Sequence, residues 1–188
     1  MLKRVLPYSH ELLQSTLKEG DFVIDGTCGN GHDTLTLAKL VGPSGHVLAF
    51  DIQEQAIQNT EKLLKENNIE NVSLIQDSHS NVENYFHEDM LNNIGGAIFN
   101  LGYLPGGDHQ IVTKGDTTIK AIKSILAHLK KGRLIVLVVY YGHDGGKEEK
   151  DQLLAFLQNI DQKQYHVLQY QFINQRNNPP FLLAIEKR

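Results

Sequence analysis

Asp25-Gly26-Thr27-Cys28-Gly29-Asn30-Gly31-His32-Asp33 follows a short apolar run, Phe22-Val23-Ile24, and leads into Thr34-Leu35-Thr36-Leu37-Ala38-Lys39-Leu40, which reads as a helix. A strand that ends in an acid, turns through closely spaced glycines and enters a helix is a nucleotide-cofactor loop. Gly29 and Gly31 permit backbone angles and close approaches that a Cβ forbids. A second acid, Asp51, comes twenty residues after Gly31, at the end of the strand His46-Val47-Leu48-Ala49-Phe50. A carboxylate there can accept hydrogen bonds from ribose hydroxyls.

The glycine order favours S-adenosylmethionine (SAM) over a dinucleotide. The dinucleotide fingerprint, Gly-x-Gly-x-x-Gly, brings backbone N–H groups against a pyrophosphate. Here the order is Gly26-x-x-Gly29-x-Gly31 behind Asp25. It is close to the acid-x-Gly-x-Gly-x-Gly loop of class I methyltransferases, with Thr27 at the first glycine. SAM carries an ammonium, a carboxylate and a sulfonium but no phosphate, so acids around the loop suit it.

At 188 residues and 40% apolar content, one domain with a full core is expected over residues 1–188, with 1–20 as a helical extension packed on it. A net charge of −4 excludes a generally basic nucleic-acid coat and leaves RNA contact to a local patch. The lone Cys28 cannot form an internal disulfide, which suits a reducing compartment. There is no apolar run of the roughly 20 residues a membrane span needs, and Met1-Leu2-Lys3-Arg4 opens no signal-peptide core. The expected location is cytoplasmic, with no membrane partner. The histidines show no ligand spacing, so no metal is expected.

Strand patterns recur at 22–25, 47–51, 72–76, 96–100, 133–140, 165–172 and 181–186. Helical patterns fall at 8–18, 32–41, 53–67, 79–87, 115–130 and 147–160. Ser9 reads as the opening of the first and Gly20 as its stop. The clearest is the fifth, where Ile119, Ile122, Ile125, Leu126 and Leu129 keep helical spacing up to Lys130-Lys131-Gly132. Those lysines and Arg133 read as helix termination. Alternation of strand and helix predicts a doubly wound, mostly parallel sheet with helices on both faces. The last two strands, joined by Asn174-Gln175-Arg176-Asn177-Asn178-Pro179-Pro180, should form an antiparallel hairpin. The prediction is an α/β, Rossmann-like class I methyltransferase fold with a seven-stranded sheet. Four loops rich in Gly, Asn, Asp and His, at 25–33, 77–81, 100–109 and 140–147, should share its carboxyl edge, where ligands bind.

With these loops assembled, the chain resembles the MnmM family of bacterial methyltransferases, long labelled rRNA methylases. The resemblance rests on the loop from Asp25 to Thr34, on Asn100-Leu-Gly-Tyr-Leu-Pro-Gly-Gly-Asp108, on Tyr141-Gly-His-Asp-Gly-Gly-Lys-Glu-Glu149 and on Gln175-Arg-Asn-Asn-Pro-Pro180. It implies SAM-dependent N-methylation of the 5-aminomethyl group on the wobble uridine of certain tRNAs. The implied partner is the tRNA anticodon stem-loop, and the implied assembly a homodimer. Competing readings are an rRNA or small-molecule methyltransferase and, from another class, a non-catalytic SAM-sensing RNA-binding protein.

For the cofactor, Asp25, Thr27, Gly29 and Gly31 form the loop, with Asp25 toward the methionine end. Asn30, His32 and Asp33 lie at a helix entrance that favours a carboxylate, with a plain helix N-terminal residue as the alternative reading of Asp33. Asp51, supported by Gln53, is assigned to the ribose, and Asp77 to the adenine end. His79 either flanks the adenine or begins a helix.

Asn100 and Tyr103 are the strongest catalytic candidates, and Asn100 also borders the cofactor. Asn100-x-x-Tyr103 has the spacing of the Asn/Asp-Pro-Pro-Tyr motif of amino-methylating enzymes, with Leu101-Gly102 in place of the prolines. In that motif carbonyl oxygens receive the amine hydrogens and the ring supports a flat base. Neutralising a lysine-like amine at pH 7 costs about 4–5 kcal/mol. Asp108 and His109 are candidate proton acceptors, ahead of His10 and His143. RNA contact is assigned to Lys3, Arg4, Tyr141, His143, Lys147 and Arg176, with Lys114, Tyr103 and Tyr140 nearby.

Overall fold

The structure is a computed structural model and describes every residue except Pro105 and His109. Its strands are β1 (Phe22–Asp25), β2 (His46–Asp51), β3 (Val72–Gln76), β4 (Ile94–Leu101), β5 (Leu129–Val139), β6 (Tyr165–Tyr170) and β7 (Phe181–Lys187). They form one sheet in the order β3-β2-β1-β4-β5-β7-β6. The first five strands pair in parallel, and β7 is antiparallel to both β5 and β6. Strand order reverses between β1 and β4, so a crevice opens beyond their carboxyl ends.

Among the described residues the α-helices are α1 (Val5–Thr16), α2 (His32–Val41), α3 (Glu54–Glu66), α4 (Gly115–His128) and α5 (Gly146–Gln158). Side chains of β4 and β5 alternate between two cores. Phe99, Ile135, Leu137 and Val139 pack with Ile122, Ile125 and Leu153 on one face. Ile98, Val136 and Val138 pack with Leu13, Leu37 and Val41 on the other. Both faces are covered, so the central strands are apolar throughout. Each fully buried Leu, Ile or Phe contributes about 1.5–3 kcal/mol.

Three local expectations are corrected. The first helix begins at Val5, not at Tyr8: Ser9 is buried inside it and its hydroxyl donates to Leu6 O at 2.7 Å, so it cannot cap. Residues 79–85 form a 3-10 helix, entered by Ser78 accepting from Ser80 N. Lys130 and Arg133 are in β5 and do not merely end a helix. Their side chains reach Asp21 at 2.6 and 3.1 Å, where Asp21 is only 4% exposed and also accepts from Lys18 N at 2.7 Å. Burial alone would raise the Asp21 carboxyl. The hydrogen bonds from Lys130 and Lys18 and the Arg133 charge outweigh it and hold the group below its ordinary value. This cluster ties the entry of β1 to the start of β5.

Candidate functional site

The chain turns sharply after β1 because of what lies against it. A Cβ on Gly26 would sit 2.1 Å from the Phe99 ring. Gly31, the residue before α2, has φ +87°, and a Cβ there would meet the Thr60 backbone at 2.9 Å. Both positions need glycine, for close approach and for the left-handed turn respectively. Thr27 takes a motif glycine's place, and its hydroxyl accepts from Asn100 N at 2.7 Å. That bond joins the loop after β1 to the end of β4 across the switch point.

A cavity of about 730 Å³ opens there. It is lined by Thr27, Gly29, Asn30, His32 and Asp33 from the first loop, by Asp51 and Gln53 after β2, and by Asp77 and His79 after β3. Asn100 and Tyr103 line it from β4 onward, and Tyr140, Tyr141 and His143 follow β5. The four predicted loops therefore meet at one edge. Among the described lining residues the fixed charges are Asp33, Asp51, Asp77 and Lys114, an acidic balance.

Asp25 does not line the cavity. It is fully buried, its carboxylate accepting from Thr27 N at 3.1 Å and Thr34 Oγ1 at 2.6 Å. Burial, and then the neighbouring Asp33 charge, push its carboxyl up to about 7. It shapes the loop from behind. Gly31 likewise sits behind the wall. Asp51 accepts from Gly29 N and Gln53 N, both at 3.0 Å, and burial still raises its carboxyl. Asp77 accepts from Asn81 Nδ2 at 3.0 Å, Tyr85 Oη at 2.8 Å and Ser78 N at 2.7 Å. The Asn81 and Tyr85 bonds lower it. His79 is buried, with Nδ1 2.9 Å from Gly26 O; burial lowers its value, which favours the neutral ring, against the Gly26 hydrogen bond.

Asn100 Nδ2 donates to Asp33 Oδ2, and Asn100 Oδ1 is buried with no hydrogen-bond partner. Chemistry fixes that orientation, since an ionised carboxylate only accepts. Asp33 Oδ1 in turn meets His10 Nε2 at 2.5 Å. The Asp33 hydrogen bond, opposed by partial burial, raises the His10 imidazole. The sequence reading rated His10 a weak candidate base and missed this chain. His10 is on α1, and nothing in its local pattern indicates that α1 docks against the α2 entrance.

Tyr103 is held by a bridge to Val112, with its ring edge-on to His143, centroids 5.8 Å apart. Asp108 does not reach the cavity; it is exposed and its carboxylate accepts from Gln110 N at 2.9 Å. His109 lies outside the described residues. Lys3, Arg4, Lys147 and Arg176 are exposed and outside the cavity lining. Lys3 pairs with Glu11 at 2.6 Å. Arg176 stands two residues before Asn178, which does line the cavity. Cys28 is a free, buried thiol pushed up by burial, in keeping with a packing role. Among the described residues, no cluster of His, Cys, Asp and Glu could hold a metal, and no helix is long and apolar enough to cross a membrane.

Known proteins with this arrangement are closely similar. The profile of the family described as "Putative rRNA methylase" matches residues 47–186. A tRNA (mnm(5)s(2)U34)-methyltransferase, chloroplastic, from Arabidopsis thaliana is 38% identical over 99% of this chain and 70% of its own length. The crystal structure of an rRNA-methylase-type protein from Clostridium thermocellum superposes with a TM-score of 0.96 at 46% identity, covering all of both chains. A methyltransferase-type protein from Streptococcus mutans, solved in complex with SAH, gives 0.90 at 43% identity, again over all of both. The family profile covers well over half of the chain and these relatives match it nearly end to end, so the chain belongs to this rRNA-methylase-type family of methyltransferases.

Proposed function

We propose that this protein transfers the methyl group of SAM to the amine of 5-aminomethyl-(2-thio)uridine at the tRNA wobble position, giving the 5-methylaminomethyl form. The observation that carries the reading is the buried, unpartnered Oδ1 of Asn100, a residue lining the cavity whose amide nitrogen is tied to Asp33. A buried carbonyl oxygen without a donor is costly. An amine N–H is a donor that satisfies it.

SAM fits the acidic cavity. Asp51 and Gln53 would hold the ribose, Asp77 the adenine end, and Asn30, His32 and Asp33 the methionine end beside the α2 N-terminus. Bound there, SAM supplies an electrophilic methyl: the amine lone pair forms the N–C bond as the C–S bond breaks with its electrons going to sulfur. Asn100 Oδ1 accepts an amine hydrogen and aims the lone pair. Tyr103 and Tyr141 offer rings to a splayed base. Alignment of this kind can contribute about 7–11 kcal/mol, so the reading needs no dedicated base.

Arg176, Lys114 and Lys147 would meet the RNA backbone, with Lys3 and Arg4 on the adjoining α1 end. The chain acts as one methyltransferase domain, residues 1–188, in the cytoplasm and as a homodimer in this reading. The test is incubation with labelled SAM and tRNA from a strain lacking the gene, followed by nucleoside mass spectrometry. Gain of one methyl on 5-aminomethyl-uridine supports the reading. Label in rRNA or a small amine instead, with the tRNA nucleoside unchanged, refutes the substrate.

A further inference from the structure

From the cavity wall inward runs a chain of polar side chains that the proposed transfer does not use: His79 and Thr113 line the cavity, and Thr118 and Glu149 are buried outside its lining. Glu149, in the first turn of α5, is 2% exposed. Its Oε2 is 2.8 Å from Thr113 Oγ1, and its Oε1 is 3.4 Å from Thr118 Oγ1 on α4. Thr118 Oγ1 is 3.3 Å from His79 Nε2, and His79 Nδ1 is 2.9 Å from Gly26 O. On the other arm, Thr113 Oγ1 accepts from Gly102 N at 2.9 Å, and Thr113 N donates to Gly102 O at 3.0 Å. That pair closes the base of the segment whose next bridge, Tyr103 to Val112, sets Tyr103. One carboxyl thus touches both the segment that carries Tyr103 and, through two side chains, the cofactor loop.

Counting hydrogens gives an arrangement of this chain that leaves no buried charge. Gly26 O only accepts, so His79 Nδ1 carries a hydrogen. Burial lowers the His79 value and so favours the neutral ring; in that form Nε2 accepts and can take the single hydroxyl hydrogen of Thr118. In that arrangement Thr118 has none left for Glu149, and the hydrogen between Oε1 and Thr118 is Glu149's own. Thr113, filled by Gly102 N, donates to Oε2. Every group is satisfied, with no buried charge to stabilise.

We propose that Glu149, as a neutral carboxylic acid, is a positioning residue that locks the Tyr103 segment and the cofactor loop into one frame. This rests on the methyl-transfer reading for its purpose, and on the hydrogen-bond geometry for its existence. Burial raises the Glu149 carboxyl in the same sense, opposed by the hydrogen bond that Thr113 donates and by the charge of His143.

The test compares Glu149→Gln with Glu149→Ala by amide hydrogen exchange at Gly102 and by single-turnover methylation. Glutamine reproduces the neutral acid, its NH₂ donating to Thr118 and its carbonyl accepting from Thr113. We expect Gly102 protection and rate within about threefold of wild type for Glu149→Gln, and at least about tenfold losses of both for Glu149→Ala. Equal losses in the two variants, or none in Glu149→Ala, would overturn the proposal. Should Glu149→Ala not fold, the ¹⁵N spectrum of His79 in the unaltered protein decides. A pyridine-type Nε2 from about pH 6 to 8 supports the neutral chain, and an imidazolium in that range overturns it. Exchange and ¹⁵N spectra need no RNA, so failure to methylate tRNA would refute the substrate reading and leave this brace separately judged.

Discussion

Asp33 holds the side-chain nitrogen of Asn100, a residue that lines the cavity, and leaves its buried amide oxygen without a hydrogen-bond partner. The two residues come from different elements, one in the first turn of α2 and the other near the end of β4. They meet because β1 and β4 are neighbours at the switch point. A second tie, Asn100 N to Thr27 Oγ1, fixes the backbone of Asn100 as Asp33 fixes its side chain. The acceptor is thereby oriented before any substrate arrives, which is how a site lowers reorganisation cost.

Asp51→Ala should weaken SAM binding at least tenfold, from loss of charge-assisted hydrogen bonds worth about 1.5–3 kcal/mol. The change also removes the acceptor of Gly29 N and Gln53 N, so part of the loss will be loop order. Calorimetric titration with SAM measures it. Unchanged affinity would remove Asp51 from the ribose.

The His10–Asp33 pair gives stability a pH dependence of known sign. The folded His10 value is raised, chiefly by the Asp33 hydrogen bond. Its contribution is therefore fully present below the unfolded value of about 6.5 and is lost as pH rises through the higher folded value. Denaturant unfolding of wild type and His10→Gln should differ more at about pH 6 than at about pH 9. A difference that grows with pH would contradict the pairing.

Gly26→Ala should destabilise by about 1–3 kcal/mol, the usual cost of overpacking a filled core, because the new methyl meets the Phe99 ring. A lower denaturation midpoint is expected, with methylation reduced as the loop shifts. A midpoint equal to wild type would show that Phe99 yields freely.

Arg176→Ala should lower tRNA affinity, with SAM affinity unchanged, since the residue is exposed and two positions from Asn178 at the cavity. Loss of one phosphate contact would also flatten the salt dependence of binding, by a slope of about one. Filter binding across a salt series reads both. Equal tRNA affinity in wild type and variant would take Arg176 out of the interface.

Much of this was legible in the sequence because it is local. The glycine order, the acid at the end of β2 and the helical spacing in α4 each lie within one element and its flanking loop. Strand alternation then brought the four polar loops to one edge. What escaped depends on partners far apart in sequence. Asp21 meets Lys130 across 109 positions, His10 meets Asp33 across 23, and Thr113 meets Glu149 across 36. Lys130 and Arg133 look like helix-ending charges until β5 is seen to start before them. Asp25 was misplaced for a related reason: an acid at a strand end can turn into the cavity or behind the loop, and Thr34, in the first turn of α2, decides which.

Asn100→Ala, assayed for single-turnover methylation of 5-aminomethyl-uridine tRNA and for SAM affinity, tests the role of the unpartnered carbonyl most directly. The expected result is SAM affinity within about threefold of wild type and a methyl-transfer rate down at least about tenfold, the scale of losing one well-placed hydrogen bond. A wild-type transfer rate in that variant would contradict the assignment of Asn100 as the group that receives the amine.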